Sequence, residues 1–298
     1  MRYLKYQSPA SQFFALMGIF CGLLLVGSLT IAVIFNDLPG LLSDDATEIT
    51  GNQLTQFKLM QLLNTFIAFI LPAFIFNYLS DEAPFQYAGF RRNTNLVFIG
   101  LTLVILLASL PLVGTLGNWN EQIHFGSFQE SLKRMEATYE KAMEMMLQMN
   151  STGELIVNFL LLAVLPGFAE EYFFRGTLQQ VLMRWWKKPA IAILVTSLLF
   201  ALLHGTVFKV LPIFSMGILL GILFHVTKNL WYNILFHSLF NGIQIVILYL
   251  SKKQVIRNFD PITEEMSFPV WMAAVGLLII ILCLFYMERQ KGWMKRDT

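Results

Sequence analysis

Eight stretches of this chain are apolar for long enough to suggest passage through a lipid bilayer, and no other feature constrains the fold as tightly. They fall at 13–35, 59–79, 96–116, 155 into the 170s, 190–204, 210–226, 230–250 and 270–287. Crossing a hydrocarbon core of ~30 Å takes ~20 helical residues. Lipid offers no water to satisfy unpaired backbone groups, so each run is expected to be a helix. Of 298 residues, 56% are hydrophobic and 13% charged, too little polar surface to coat a soluble globule. The expected fold class is an all-α membrane protein, a polytopic bundle of about eight transmembrane helices with an additional amphipathic helix. The runs recur along the whole length, so 1–298 is expected to form a single integral membrane domain. The first run follows Arg2 and Lys5, is longer than the core of a cleavable signal and lacks a small-x-small cleavage site, so it is expected to remain as the first span.

Charge adds an orientation and removes one class of partner. A net charge of +2, with no Lys/Arg block interleaved with aromatics, excludes nucleic acid as a partner. Arg184, Lys187, Lys188 and Pro189, flanked by Trp185 and Trp186, form the basic break expected where a helical hairpin turns at a headgroup layer. With that turn in the cytoplasm, alternation puts Arg2, Lys5, Arg91, Arg92, Lys228, Arg289, Lys291, Lys295 and Arg296 on the same side. Asp37, Asp44, Asp45 and Glu48 fall opposite, so the positive-inside rule predicts a multi-pass protein of the cell membrane with both termini cytoplasmic. Lys133, Arg134, Lys252 and Lys253 in outer loops make this asymmetry moderate. Cys21 and Cys283 both lie inside apolar runs and read as packing or lipid-facing residues, neither a disulfide nor a zinc site.

The longest loop contains a stripe at helical spacing: Phe128, Leu132, Met135, Tyr139, Ala142, Met146 and Met149. It predicts an amphipathic helix, either lying on the bilayer or serving as a lid or substrate guide. Ser151 and Glu154 then form a capping-box pattern that starts the fourth span.

Ionisable groups at membrane depth are costly and mark function by default. Three places hold them together with polar company: Glu170, Glu171 and Arg175 in the fourth span, Phe200 and His204 ending the fifth, and His237 and Asn241 in the seventh. Glu171 and Arg175 lie one helical turn apart and predict an ion pair, which leaves Glu170 without that partner and pointing about 100° away toward a different cavity. Pro166 and Gly167, one turn earlier, weaken the backbone ladder nearby. His237 and Asn241 project together from one stripe. Glu170 and His204 lie almost equally far in sequence from the basic turn, about 25 Å along antiparallel helices, so they are expected at one depth. A buried carboxylate beside an imidazole suits general base work, and an amide with an imidazole N–H suits an oxyanion hole. The same groups also suit a packing network without chemistry. His225 and His124 lack such company and read as interfacial, and the Gly217-x-x-x-Gly221 spacing reads as close packing within the bundle.

Glu-Glu-x-x-x-Arg, Phe-x-x-x-His and His-x-x-x-Asn, in that order on successive late spans, resemble the CAAX-protease and bacteriocin-processing family, also called the Abi family. The resemblance covers residues 155–245 as a catalytic core. It implies an intramembrane endopeptidase related to the type II CAAX prenyl endopeptidase, in which Glu170 and His204 activate water, His237 and Asn241 stabilise the oxyanion, and Glu171 and Arg175 support them. It implies a membrane-associated peptide or protein as substrate and the lipid bilayer as partner, with no cofactor favoured and zinc as the alternative. A zinc-dependent version would instead use Glu170, His204 and His237 as ligands, although no His-Glu-x-x-His occurs. A further alternative is a non-catalytic membrane scaffold or bacteriocin immunity protein. A transporter is disfavoured because the two halves show no internal repeat.

Overall fold

A computed structural model describes residues 2–35, 51–256 and 268–294, with side chains described as far as 290. Asp37, Asp44, Asp45, Glu48, Lys295 and Arg296 lie outside the described residues, as does the side chain of Lys291. The helices are α1 (Pro9–Ile34), α2 (Gly51–Ser80), α3 (Leu96–Glu121), α4 (Gln129–Met146), α5 (Thr152–Trp186), α6 (Pro189–Leu203), α7 (Val210–Thr227), α8 (Leu230–Lys252) and α9 (Val270–Met294). No strand occurs among the described residues. Their starts follow from local chemistry: Ser8, Asn95 and Asn229 each accept a backbone N–H at the first turn of α1, α3 and α8. Ser151 and Glu154 close the reciprocal capping box expected at the start of α5.

Seven of these helices are long and apolar enough to cross a membrane, and the protein is an integral membrane protein. The fifth expected span, α6, has only 15 residues, about 22 Å at ~1.5 Å per residue, which falls short of a full crossing. Its limits are chemical. Lys187 closes α5 in the left-handed conformation at φ 53°, Pro189 opens α6, and Gly205 at φ 72° turns the chain away after His204. The shortness of α6 leaves His204 at the helix end, inside the bundle.

Two spans widen into π-helical turns, at Phe66–Ile70 in α2 and Leu160–Val164 in α5. Each precedes a proline, Pro72 or Pro166, whose ring would clash with the carbonyl four residues back, at Ala68 or Leu162. Widening the turn relieves that clash. A third π-helical turn, Phe174–Gln179, follows the paired glutamates of α5.

Helix α9 packs along α3, α7 along α6, and α8 along α5. One apolar cluster joins α1, α2, α5 and α6 through Phe20, Phe76, Phe173, Phe174 and Phe200. A second joins α3, α7, α8 and α9 through Phe98, Ile105, Leu223, Phe236 and Met287. Two glycine seams bring backbones close. A Cβ on Gly217 or Gly221 would meet Ser197 or Ile193 at 2.9 and 2.8 Å, so this pair packs α7 on α6 within the bundle. A Cβ on Gly167 would lie 2.9 Å from the Ser238 backbone nitrogen, so α5 and α8 touch there.

The amphipathic helix is present as α4, and its apolar stripe is divided between two surroundings. Met145, Met146 and Met149 are buried, while Phe128, Met135 and Tyr139 remain exposed. The C-terminal half of α4 docks on Phe35 and Phe57 of the first two spans. Its first half is instead held by a polar contact, with Thr206 donating to both oxygens of Glu136 at 2.8 and 2.6 Å.

Candidate active site

Four helices converge on Glu170 and Glu171, near the middle of the 35 residues of α5. Arg175 lies on the same face as Glu171 and donates to its Oε1 at 2.7 Å, with both side chains fully buried. The second arm of the guanidinium donates to the Gly217 carbonyl at 3.1 Å, and its carbon stands 4.5 Å from the centre of the Phe200 ring. Glu171 is therefore an ionised carboxylate in a sealed interior, held by an arginine that is itself fixed to α7 and α6.

The structure sets His237 between the two glutamates. Its Nδ1 lies 3.0 Å from Glu171 Oε1, and its Nε2 lies 3.8 Å from Glu170 Oε2. Adjacent residues of a helix point about 100° apart, which led to the expectation of two separate cavities. The imidazole instead spans that angle, one ring nitrogen for each carboxylate. His204 enters from the end of α6, its Nε2 3.9 Å from the same Glu170 oxygen and its Nδ1 2.7 Å from the Phe200 carbonyl. The Phe200 ring also packs against it at a tilt, the ring centres 4.6 Å apart. Asn241 stands one turn beyond His237 on α8, half-buried.

Proton positions follow from the acceptors. A carbonyl and a paired carboxylate can only accept, so Nδ1 of both rings carries the hydrogen. Each ring then turns its Nε2 toward Glu170 Oε2, and that oxygen is buried without a hydrogen-bond partner. Separations of 3.8 and 3.9 Å exceed a hydrogen bond. The gap is polar and acceptor-rich. Access is graded: 28% of the His204 side chain and 14% of Glu170 are exposed, against 7% of His237 and none of Glu171. A molecule from outside reaches Glu170 and His204 first, while Glu171 and Arg175 stay sealed behind them.

The donor set is one that zinc accepts, with each Nδ1 held by an acceptor as in metal-bound histidines. Tetrahedral bonds of about 2.1 Å put ligand atoms about 3.4 Å apart, against 3.8 and 3.9 Å from Glu170 Oε2 to the two Nε2 atoms, so the three would have to draw together to hold the metal. Among the described residues no trio of His, Cys, Asp and Glu side chains is arranged to hold a metal ion.

Two contributors lay outside the sequence motifs. Asn233, fully buried one turn before His237, donates to Glu171 Oε2 at 3.1 Å. Its place in Asn233-x-x-x-His237-x-x-x-Asn241 was visible as a stripe. The loop after His204 is pinned by Glu136 at Thr206 and by Asn120, which donates to the Val207 carbonyl at 2.9 Å and accepts from Leu211 at 2.6 Å. No local sequence signal marks these long-range contacts. His225 and His124 lie apart, near Lys228 and the Gln122 carbonyl respectively.

Comparison with known proteins bears on the segment that carries this geometry. Residues 152–243 match the family described as type II CAAX prenyl endopeptidase Rce1-like, a stretch that runs from the start of α5 past Asn241. No curated protein and no solved structure matches the chain significantly. The helices that assemble around Glu170 thus fall in the segment of the chain that is similar to the Rce1-like type II CAAX prenyl endopeptidases.

Proposed function

We propose that the protein is an intramembrane endopeptidase that hydrolyses a peptide bond in a membrane-associated peptide or protein tail, as in CAAX-type or peptide-maturation processing. The observation that carries this reading is the unpartnered Glu170 Oε2 faced by two imidazole nitrogens at 3.8 and 3.9 Å in a partly accessible recess. Water supplies two hydrogens, one for Glu170 and one for His204, which aims its lone pair at a substrate carbonyl. The C–O bond forms as Glu170 takes the water proton. The carbonyl oxygen becomes an oxyanion, held by the Asn241 amide and by His237 once its Nε2 shares the proton that Glu170 took from water. Collapse breaks the C–N bond, and the proton held by Glu170 passes to the leaving amine. Arg175 and Glu171 keep the rings in place and touch no substrate.

Residues 155–245 are the catalytic core in this reading, within one membrane domain of 1–298. The basic turn at Lys187 and Lys188 is placed in the cytoplasm, on the side of Arg2 and Lys5, by the positive-inside rule. A zinc-dependent variant of the site is favoured only by the orientation of the two Nε2 atoms. Loss of cleavage on chelation with restoration by zinc selects it, and indifference to chelator selects water. The decisive experiment compares membrane peptidomes of cells with the wild type and with Glu170→Gln. At least one peptide product is expected to vanish in the variant. Identical peptidomes, or a Glu170→Gln, His204→Ala protein that keeps the full cellular phenotype, would make the protein a binding scaffold instead.

A further inference from the structure

Asn233 is buried completely and makes two hydrogen bonds from a single nitrogen. Its Nδ2 donates to Glu171 Oε2 at 3.1 Å and to the Leu220 carbonyl at 2.7 Å. Flipping the amide would set its oxygen against two acceptors, so the assignment is forced. Its Oδ1 is left buried with no partner. An unsatisfied interior acceptor is a loss of stability that leucine, of similar size, would avoid. What leucine lacks is the Nδ2 donor on Glu171.

That donor decides where the Glu171 carboxylate points. Arg175 and His237 both bind Oε1, at 2.7 and 3.0 Å, and among the described residues only Asn233 holds Oε2. Arg175 Nε is buried without a partner. A carboxylate released at Oε2 would pivot to meet Arg175 with both oxygens, the geometry guanidinium groups prefer, and would draw Oε1 away from His237. With its acceptor gone, the ring loses the reason to keep its proton on Nδ1.

We propose that Asn233 is a positioning residue: by holding Glu171 Oε2 it keeps Oε1 on His237 Nδ1, which fixes the proton of that ring on Nδ1 and presents Nε2 to Glu170. The same stripe of α8 then carries the support, the imidazole and the amide in successive turns. The catalytic meaning of this arrangement rests on the peptidase reading, whereas the tautomer does not, so the two fail separately.

The test uses the full chain in lipid nanodiscs with 15N-labelled histidine, in a His124→Gln, His225→Gln background that leaves two rings to read. Nitrogen NMR reports which ring nitrogens carry hydrogen, without any substrate. In the otherwise unaltered protein His237 is expected to show a protonated Nδ1. In Asn233→Leu that single state is expected to be lost to a mixture with protonated Nε2 and bare Nδ1. A bare Nδ1 on His237 before Asn233 is changed, or an undiminished Nδ1–H state in folded Asn233→Leu, overturns the proposal. Should Asn233→Leu fail to fold, Asn233→Ala gives the same readout. Failure of both to fold would mark Asn233 as a packing residue and would count against the assignment. An unchanged peptidome in Glu170→Gln would remove the enzyme while leaving the tautomer result intact.

Discussion

Replacing Arg175 by methionine tests how the interior tolerates Glu171. The substitution keeps an unbranched apolar stem but removes the 2.7 Å bond to Glu171, the 3.1 Å bond to the Gly217 carbonyl and the cation over Phe200. Breaking a fully buried pair by removing one partner costs about 3–5 kcal/mol, because the surviving charge is left uncompensated. Loss of the desolvated cation–π contact adds about 0.5–2 kcal/mol. Two donors remain on the carboxylate, His237 Nδ1 at 3.0 Å and Asn233 Nδ2 at 3.1 Å, so the expected loss sits near the lower end, about 3 kcal/mol. That is a factor of about one hundred in the folding equilibrium. Unfolding by SDS in mixed micelles, followed by tryptophan fluorescence, measures it. Adding Glu171→Gln removes the stranded charge, and the double variant is expected to recover about 2 kcal/mol relative to Arg175→Met alone. A single variant within about 1 kcal/mol of wild type, or a double variant no more stable than the single, would refute the view that Arg175 keeps Glu171 ionised in the interior.

Gly167→Ala forces a Cβ to 2.9 Å from the Ser238 backbone nitrogen and is expected to cost about 1–3 kcal/mol by parting α5 from α8. Gly100→Ala, with nothing within 4 Å, should be neutral or mildly stabilising in the same assay, and equal effects would refute the seam. Thr206→Val removes the only donor shown on Glu136, so amide hydrogen exchange along α4 should quicken while the other helices keep their protection. Unchanged exchange would mean that the contact does not hold α4. Although part of the Tyr139 ring is exposed, its hydroxyl end is enclosed, and that burial first, then the carboxylates of Glu136 and Glu170, push the hydroxyl above the usual tyrosine range. Folding then binds the proton more tightly than the unfolded chain does. Stability from this group is intact below about pH 10 and falls as pH rises through the folded value. A tyrosinate absorbance titration, taken as wild type minus Tyr139→Phe, should move to lower pH in Glu136→Gln.

The helices were legible because lipid leaves the backbone one choice, so hydropathy alone located every run. The pairing of Glu171 with Arg175 was legible for the same local reason, a four-residue spacing on one helix. Glu170 and His204 were expected at one depth from their similar distances to the Lys187 turn, and the structure sets them 3.9 Å apart. What stayed hidden depends on rotation about helix axes and on partners far away in sequence. The placement of one imidazole between Glu170 and Glu171 could not be read from α5 alone, since the ring comes from α8. The amphipathic helix α4 was legible from its periodicity, but its anchoring was not, since Glu136 meets Thr206 across 70 positions. Asn233 went unread because an asparagine in a span announces a partner without naming it.

The π-helical turns on either side of Glu170 make α5 longer in sequence than in space. Each such turn stores about one surplus residue, which shifts the face of everything downstream by about 100° relative to an unbroken helix. Arg175 and Gln179 meet the carbonyls of Gly217 and Gly221 through that offset phase. The length of this segment is therefore itself a design variable: losing a single residue between Phe174 and Gln179 would leave the glutamates where they are and swing the basic end of the span to a different neighbour.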